Sequence, residues 1–331
     1  IKRDIGITSD LYLSIRKRLQ EAEIQRAGTL RDLVVLRRAM APGIDSRVPL
    51  SRQIPFAIAI GIFLGGLLVL LWEGLRPSVK SRGEVERRGI SVLGEIPNAK
   101  QILKGQPDVM ILDNAPNSFE ADIFRYLRIK LLNFIGEPRK PGQIIQVSSP
   151  RTGDGKSFVS INLALALSKG GVKTLLIDLD MRRPAIHRYC SHRGPVIRDT
   201  VLGPVYRHAS NLEIIYSAVR VEHPPEFLES EKFQNLLASL KKEYEMIVID
   251  SPPLLGVIDS EIIARFIDAF LVVIHFGRTS RDDLQQTLKT IRDGVDKPIF
   301  AILNFVNRDS SYYYDSRTRA AERGRQPPTI S

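Results

Sequence analysis

From Ile54 to Trp72 the chain reads IPFAIAIGIFLGGLLVLLW, nineteen residues without a charge. A helix of that length is about 28 Å long, which matches a hydrocarbon core of roughly 30 Å. The run is apolar on every face, so a membrane span fits it better than a buried core helix, which is the alternative. Trp72 closes the run, as an interfacial aromatic does, and Gly61, Gly65 and Gly66 leave a small-residue face for close helix contact. Arg76, Lys80, Arg82, Arg87 and Arg88 follow closely and favour a cytoplasmic C-terminal side. Arg37, Arg38, Arg47 and Arg52 precede the run and weigh against that orientation, so charge alone does not orient it.

The rest of the chain has the make-up of a globular protein. Of its 331 residues, 43% are hydrophobic and 26% charged, which excludes a wholly disordered chain. A net charge of +11 suits acidic partners, whether anionic lipid, nucleotide phosphate or nucleic acid, without choosing among them. The single cysteine, Cys190, can form no internal disulfide and has no metal-ligand spacing around it, so an inert thiol is expected. The chain begins at Ile1 with no signal peptide, and it reads as a fragment starting inside a longer protein. Ser9 or Asp10 could cap a helix to about Ala27, with Leu11, Ile15, Leu19 and Ala22 on one face and Gly28 as its stop. Pro42, Pro49 and Pro55 then mark an extended approach to the apolar run.

From about Gln143 the pattern alternates. Short apolar runs at Ile144–Val147, Thr174–Ile177, Met246–Ile249, Phe270–Ile274 and Ile299–Leu303 are separated by helical stretches such as Ser157–Ser168 and Ser280–Arg292. Such runs predict an α/β domain with a mostly parallel sheet covered by helices. The first run leads into Ser148-Ser149-Pro150-Arg151-Thr152-Gly153-Asp154-Gly155-Lys156-Ser157, a P-loop at the start of a helix. Its glycines let backbone N–H groups face phosphates, Lys156 neutralises β and γ charge, and Ser157 offers a hydroxyl to Mg²⁺. Pro150 stands where the motif usually opens with a small residue. Two further strands end in carboxylates: Asp178-Leu179-Asp180-Met181-Arg182, and Asp250-Ser251-Pro252-Pro253. Both lie where ligands bind in this architecture, at the C-terminal edge of a parallel sheet.

These three motifs resemble the Walker A, A′ and B set of bacterial tyrosine kinases, and the resemblance covers nearly the whole chain. It implies an ATP- and Mg²⁺-dependent protein-tyrosine autokinase that regulates exopolysaccharide polymerisation, chain length and export. By that resemblance Arg151, Thr152, Gly153, Asp154, Gly155, Lys156, Ser157 and Phe158 bind nucleotide. Ser157, Asp178 and Asp250 serve the metal, Asp180 is the general base, and Lys156 shares the catalysis. Arg151 occupies the place where partition-type ATPases carry a lysine that senses phosphate across a dimer. Asp122-Ile123-Phe124-Arg125-Tyr126-Leu127-Arg128 resembles the family's ExxRxxR oligomerisation motif, with Asp122 for Glu, so Asp122, Arg125 and Arg128 are expected in a homo-oligomer contact. Pro225-Glu226-Phe227-Leu228-Glu229-Ser230 and Asp259 also sit where the family has similar residues. Tyr312-Tyr313-Tyr314 resembles a short form of the family's tyrosine cluster, phosphorylated in trans.

The implied layout is a periplasmic end of a chain-length-determinant region (1–53), a transmembrane helix (54–72), a juxtamembrane linker (73–115), a cytosolic P-loop kinase domain (116–309) and a disordered tail (310–331). The place is the bacterial inner membrane. The implied partners are membrane lipid, the polysaccharide polymerase and export machinery, and a tyrosine phosphatase, with no nucleic acid. The rival reading is a structural polysaccharide co-polymerase whose ATP binding drives assembly without tyrosine phosphorylation. A soluble partition ATPase fits less well, because of the apolar run and Arg151.

Overall fold

A computed structural model describes residues 2–29, 50–74, 77–99, 103–104, 108–135, 141–190, 194–216 and 221–307. The chain divides into two units, Ile1–Gly74 and Leu75–Ser331. Tyr312–Tyr314 and the rest of the expected tail lie outside the described residues.

The first unit holds two helices, α1 (Lys2–Thr29) and α2 (Leu50–Gly74). Helix α1 starts seven residues before Ser9 and runs through Gly28, so Ser9 and Asp10 lie inside it rather than capping it. Its predicted apolar face is exposed, with Leu11, Ile15 and Leu19 all more than half accessible. Helix α2 contains the whole apolar run without a break, Pro55 falling within its first turns. Pro55 is the sixth residue of α2, so its ring removes one hydrogen bond from the second turn, and the approach expected to be extended at Pro55 is already helical from Leu50. The side chains described in α2 are those of residues 54–69, and all are exposed. That described stretch of α2 is sixteen residues, shorter than the apolar run itself, and among the described residues no helix is long and apolar enough to cross a membrane.

The second unit is a three-layer α/β domain. In chain order its strands are β1 (Ser91–Pro97), β2 (Gln143–Ser148), β3 (Thr174–Asp178), β4 (Val196–Thr200), β5 (Gly203–Ala209), β6 (Leu212–Ile215), β7 (Met246–Asp250), β8 (Ala269–His275) and β9 (Ile299–Val306). Its helices are α3 (Arg82–Glu86), α4 (Ile111–Asn114), α5 (Phe119–Ile135), α6 (Lys156–Lys169), α7 (Ile186–Tyr189), α8 (Pro224–Glu229), α9 (Glu231–Glu243), α10 (Asp259–Ile263) and α11 (Arg281–Gly294). The nine strands form one sheet in the order β1-β9-β8-β2-β7-β3-β6-β5-β4. Pairing is parallel from β1 to β6, and β5 and β4 extend the sheet as antiparallel strands.

Alternation along the strands divides the core. Ile145, Val147, Leu176 and Val248 face a layer with Phe124 and Leu127 of α5 and Leu163 of α6. Ile144, Leu175, Ile177, Ile247 and Ile249 face Phe233 and Leu237 of α9 and Leu284 and Leu288 of α11. Both faces being covered explains why the central strands read as unbroken apolar runs.

Part of the stretch expected as a linker belongs to the sheet. Strand β1 pairs in parallel with β9, from Ser91 opposite Phe300 to Pro97 opposite Val306. Gly94 permits this packing, since a Cβ there would stand 2.6 Å from a methyl group of Leu127. Val79 is fully buried and bonds with the turn before α11 (Val79 N–H to Thr279 O, 2.9 Å), and Arg281 pairs with Glu84 at 2.7 Å. The domain therefore begins well before residue 116. Gly94 and the buried Glu95 interrupt the apolar pattern of β1, which hid it in the sequence.

Candidate active site

Strands β2, β3 and β7 lie side by side, with Asp178 opposite Asp250 in the register. Their C-terminal ends deliver the three motifs to one edge. The P-loop leaves β2 and turns into α6 through Gly153 and Gly155, at φ of 90° and 95°. At Gly155 the need for glycine is also steric, because a Cβ would stand 2.1 Å from Nδ2 of Asn304. Asn304, buried on β9, donates from Nδ2 to the Asp154 carbonyl (3.0 Å) and accepts the Phe305 N–H on Oδ1 (3.0 Å). It thereby ties the P-loop to the neighbouring part of the sheet. Neither Asn304 nor Phe305, with its left-handed φ of 61°, was singled out in the sequence; the available signal was a polar residue closing the apolar run of β9.

Lys156 is the electrostatic centre. Its ammonium lies 2.8 Å from Oδ2 of Asp180 and 3.6 Å from Oδ1 of Asp250, and all three side chains are buried. Asp178 accepts the Asp180 N–H on Oδ1 (3.1 Å) and the Ala185 and Ile186 N–H groups on Oδ2 (3.0 and 3.1 Å). Oδ1 of Asp180 accepts the Arg183 N–H at 3.0 Å, and Oδ1 of Asp250 accepts the Ser160 hydroxyl at 3.2 Å. Oδ2 of Asp250 is buried with no hydrogen-bond partner among the described residues.

One ammonium cannot neutralise three buried carboxylates, and the proton affinities of Asp178 and Asp250 reflect this. Burial, then the charge of Asp250, pushes Asp178 up to about 7. Burial also raises Asp250, despite Lys156 and the Ser157 and Ser160 hydroxyls. Burial pulls Lys156 down, but Asp250 and Asp180 outweigh it and hold the ammonium protonated. Asp154, whose Oδ2 accepts the Arg151 N–H at 2.9 Å, is pushed by burial up to about 6.

A cavity of about 490 Å³ opens beside this cluster. It is lined by Thr152, Gly153, Gly155, Lys156, Ser157, Phe158 and Asp180, with Asn304, Phe305, Arg183 and Tyr189 on its other walls. The expected nucleotide residues, apart from Arg151 and Asp154, thus border one cavity. A second cavity of about 460 Å³ lies between β1 and α5, away from these carboxylates. Arg151 points elsewhere, making a two-pronged pair with Asp283 (2.7 and 2.8 Å). Ser280 fixes that partner by capping α11 through the Asp283 N–H. Cys190 is buried and its thiol is pushed up to about 12, which makes it inert near neutrality.

On α5 the three expected contact residues do different things. Arg125 donates to Asp122 within the helix at 2.8 Å, both about two-fifths exposed. Arg128 donates to the Ala166 carbonyl at the end of α6 (3.2 Å), where Gly170 leaves it room. Arg128 therefore has a role inside the fold whatever else it contacts.

A family model described as an AAA domain matches residues 142–298. The tyrosine-protein kinase ptk of Acinetobacter johnsonii is 29% identical over 329 residues, covering 94% of this chain and 44% of the relative. The chain thus spans about half the length of the curated relatives it matches. The VpsO kinase domain aligns at 31% identity and a TM-score of 0.50, over 59% of this chain and 99% of that domain. The BceF tyrosine kinase domain aligns at 28% identity and a TM-score of 0.58, over 69% and 98%.

Proposed function

Because the chain belongs to the family of bacterial tyrosine kinases, we propose that it transfers the γ-phosphoryl group of ATP to tyrosine. The acceptors are Tyr312, Tyr313 and Tyr314 of another copy, and the outcome is control of exopolysaccharide polymerisation, chain length and export. The observation that carries this reading is the meeting of Lys156 with Asp180 and Asp250 from three strand ends, with Lys156 and Asp180 lining the cavity and Asp250 buried behind them.

Lys156 and the P-loop amides bind the β- and γ-phosphates, and the N-terminal end of α6 adds a favourable dipole. The tyrosine oxygen bonds to the γ-phosphorus as the bond from phosphorus to the β–γ bridging oxygen breaks, and ADP leaves. The phenolic proton passes to Asp180. The residues fit a divalent cation: Asp180 and Asp250 share one lysine, Asp178 lies opposite Asp250 in the sheet, and Oδ2 of Asp250 is buried with no hydrogen-bond partner among the described residues. Among the described residues no three His, Cys, Asp or Glu form a metal cage. This suits Mg²⁺, which is usually held by one or two carboxylates plus phosphates and water. Ser157, Asp178 and Asp250 would hold it, and it supplies charge neutralisation on the phosphates.

The reading places 1–53 in the periplasm, α2 across the inner membrane and the α/β domain in the cytosol. Its support is the continuous α2 with Phe56, Ile62, Phe63 and Leu68 each about two-thirds exposed or more, a surface that water does not favour but lipid does. The partners we assign are further copies of the chain, contacting through Asp122, Arg125 and Arg128, anionic membrane lipid, the polymerase and export machinery, and a tyrosine phosphatase. The test is to incubate the full chain in detergent with Mg·ATP and map phosphotyrosine by mass spectrometry. Phosphate on Tyr312–Tyr314 is expected. ATP turnover with an unmodified tail would replace the kinase reading with that of a structural co-polymerase.

A further inference from the structure

The A′ motif ends in Arg182, which points away from the cavity toward the start of α10. Its guanidinium grips Asp259 with two parallel bonds, Nε to Oδ2 at 2.9 Å and Nη2 to Oδ1 at 3.0 Å. Asp259 is fully buried, while Arg182 remains about half exposed. A fully buried carboxylate is expensive, and a pair of this kind adds little net stability over apolar residues of similar size. What it does supply is orientation, because a planar fork on a carboxylate fixes direction as well as distance.

The next residue ties down the other motif loop. The Ser260 hydroxyl donates to the Pro252 carbonyl at 2.5 Å, two residues after Asp250, and the Ser148 hydroxyl meets the same carbonyl at 2.6 Å. The Ser260 carbonyl accepts from Gln146 of β2 at 2.9 Å. The loop after β7 continues to the P-loop, with the Leu254 N–H donating to the Ser149 carbonyl at 2.9 Å. Two consecutive residues of α10 therefore hold the A′ loop and the loop after Asp250 at once. Asp180, two residues before Arg182, has its reach to Lys156 set by that same A′ loop.

We propose that Arg182 and Asp259 are a positioning pair for phosphoryl transfer, holding the A′ loop so that Asp180 meets the reacting hydroxyl. This rests on the kinase reading for the identity of the acceptor. Neither residue touches substrate; each acts through the placement of Asp180. An error of about 1 Å in such a placement can lower a rate about 100-fold.

The experiment uses the full chain in detergent and compares wild type with Arg182→Lys, Arg182→Gln, Asp259→Asn and the Arg182→Gln/Asp259→Asn double variant. Phosphotyrosine formation is followed against ATP concentration, and hydrogen exchange is followed at the amides of Arg183, Ala185 and Ile186. In the single variants kcat is expected to fall about 10- to 100-fold, with KM for ATP held within about twofold. Lysine at 182 recovers little of the loss, since an ammonium cannot make two parallel bonds. The double variant is no slower than the slower single one, as for residues acting as a unit. A′-loop amides exchange about tenfold faster or more, while those of β3 and β7 do not change. Unchanged kcat, independent multiplying losses in the double variant, or exchange that rises equally in the strands would overturn the pair's role. If wild type hydrolyses ATP without forming phosphotyrosine, the kinase reading fails separately, and the same kcat and KM comparison on hydrolysis judges the pair. Where a variant has no measurable turnover, the exchange pattern alone decides: faster exchange confined to the A′ loop supports the pairing, and any other pattern refutes it.

Discussion

Replacing Lys156 with methionine keeps side-chain length and removes the charge. In the wild-type site the ammonium stands 2.8 Å from Asp180 and 3.6 Å from Asp250. At an effective dielectric of about 20 those separations correspond to attractions of about 6 and about 5 kcal/mol. The several kcal/mol needed to desolvate the ammonium is recovered on substitution, so the net loss on breaking such a buried pairing is about 3–5 kcal/mol. The sign with pH follows from the carboxylates. Asp178 and Asp250 already bind protons more tightly than ordinary carboxylates, and losing the ammonium raises them further. A raised folded-state value means the folded chain holds extra protons, so stability falls as pH rises through that value. The deficit of Lys156→Met is therefore expected to be largest at pH 8 and to shrink toward pH 5. Chemical denaturation at both values measures this, and calorimetry with Mg·ATP measures the accompanying loss of affinity. Equal stability of the two proteins at pH 8, or undiminished Mg·ATP binding, would refute the assignment of Lys156 as the charge that holds this site together.

Asp154 gives a second pH signature: with a value raised from 3.8 to about 6, it contributes stability below about pH 4 that is lost as pH rises to about 6. Asp154→Asn should remove that slope, so that its stability relative to wild type improves by about 2.4 kcal/mol between pH 4 and pH 8 in denaturant titrations. Gly155→Ala must place a Cβ against Asn304 at a φ of 95°, and a loss of about 1–3 kcal/mol in stability is expected, with weaker nucleotide binding by calorimetry. Arg125→Ala should lower the oligomer mass in light scattering without a change in melting. Arg128→Ala should lower melting by the worth of one hydrogen bond, about 1 kcal/mol, because it bonds the end of α6. Phosphorylation of Tyr312–Tyr314 should release the tail from a neighbour's carboxylates, since each group adds about −1.5 to −2 charges; an oligomer mass unchanged after phosphorylation would rule that out.

What the sequence determined alone is the class of the domain and the inventory of its chemistry. Apolar runs ending in a glycine loop or carboxylates have few stable arrangements, and a parallel sheet covered on both faces places all such ends on one edge. The P-loop, Asp178, Asp180 and Asp250 could therefore be named before their distances were known. Contacts between residues far apart in the chain were decided by tertiary structure. β1 joins the sheet because Gly94 admits Leu127, which no local pattern announces. Asn304 is a clamp on the P-loop only because β9 passes beside it. Arg151 and Arg128 read as intermolecular residues, yet their guanidiniums find partners in Asp283 and Ala166 of the same chain. The difference is physical: periodicity and turn chemistry act over a few residues and are written in order. The partner of a long polar side chain depends on which distant segment the core brings within about 3 Å of it.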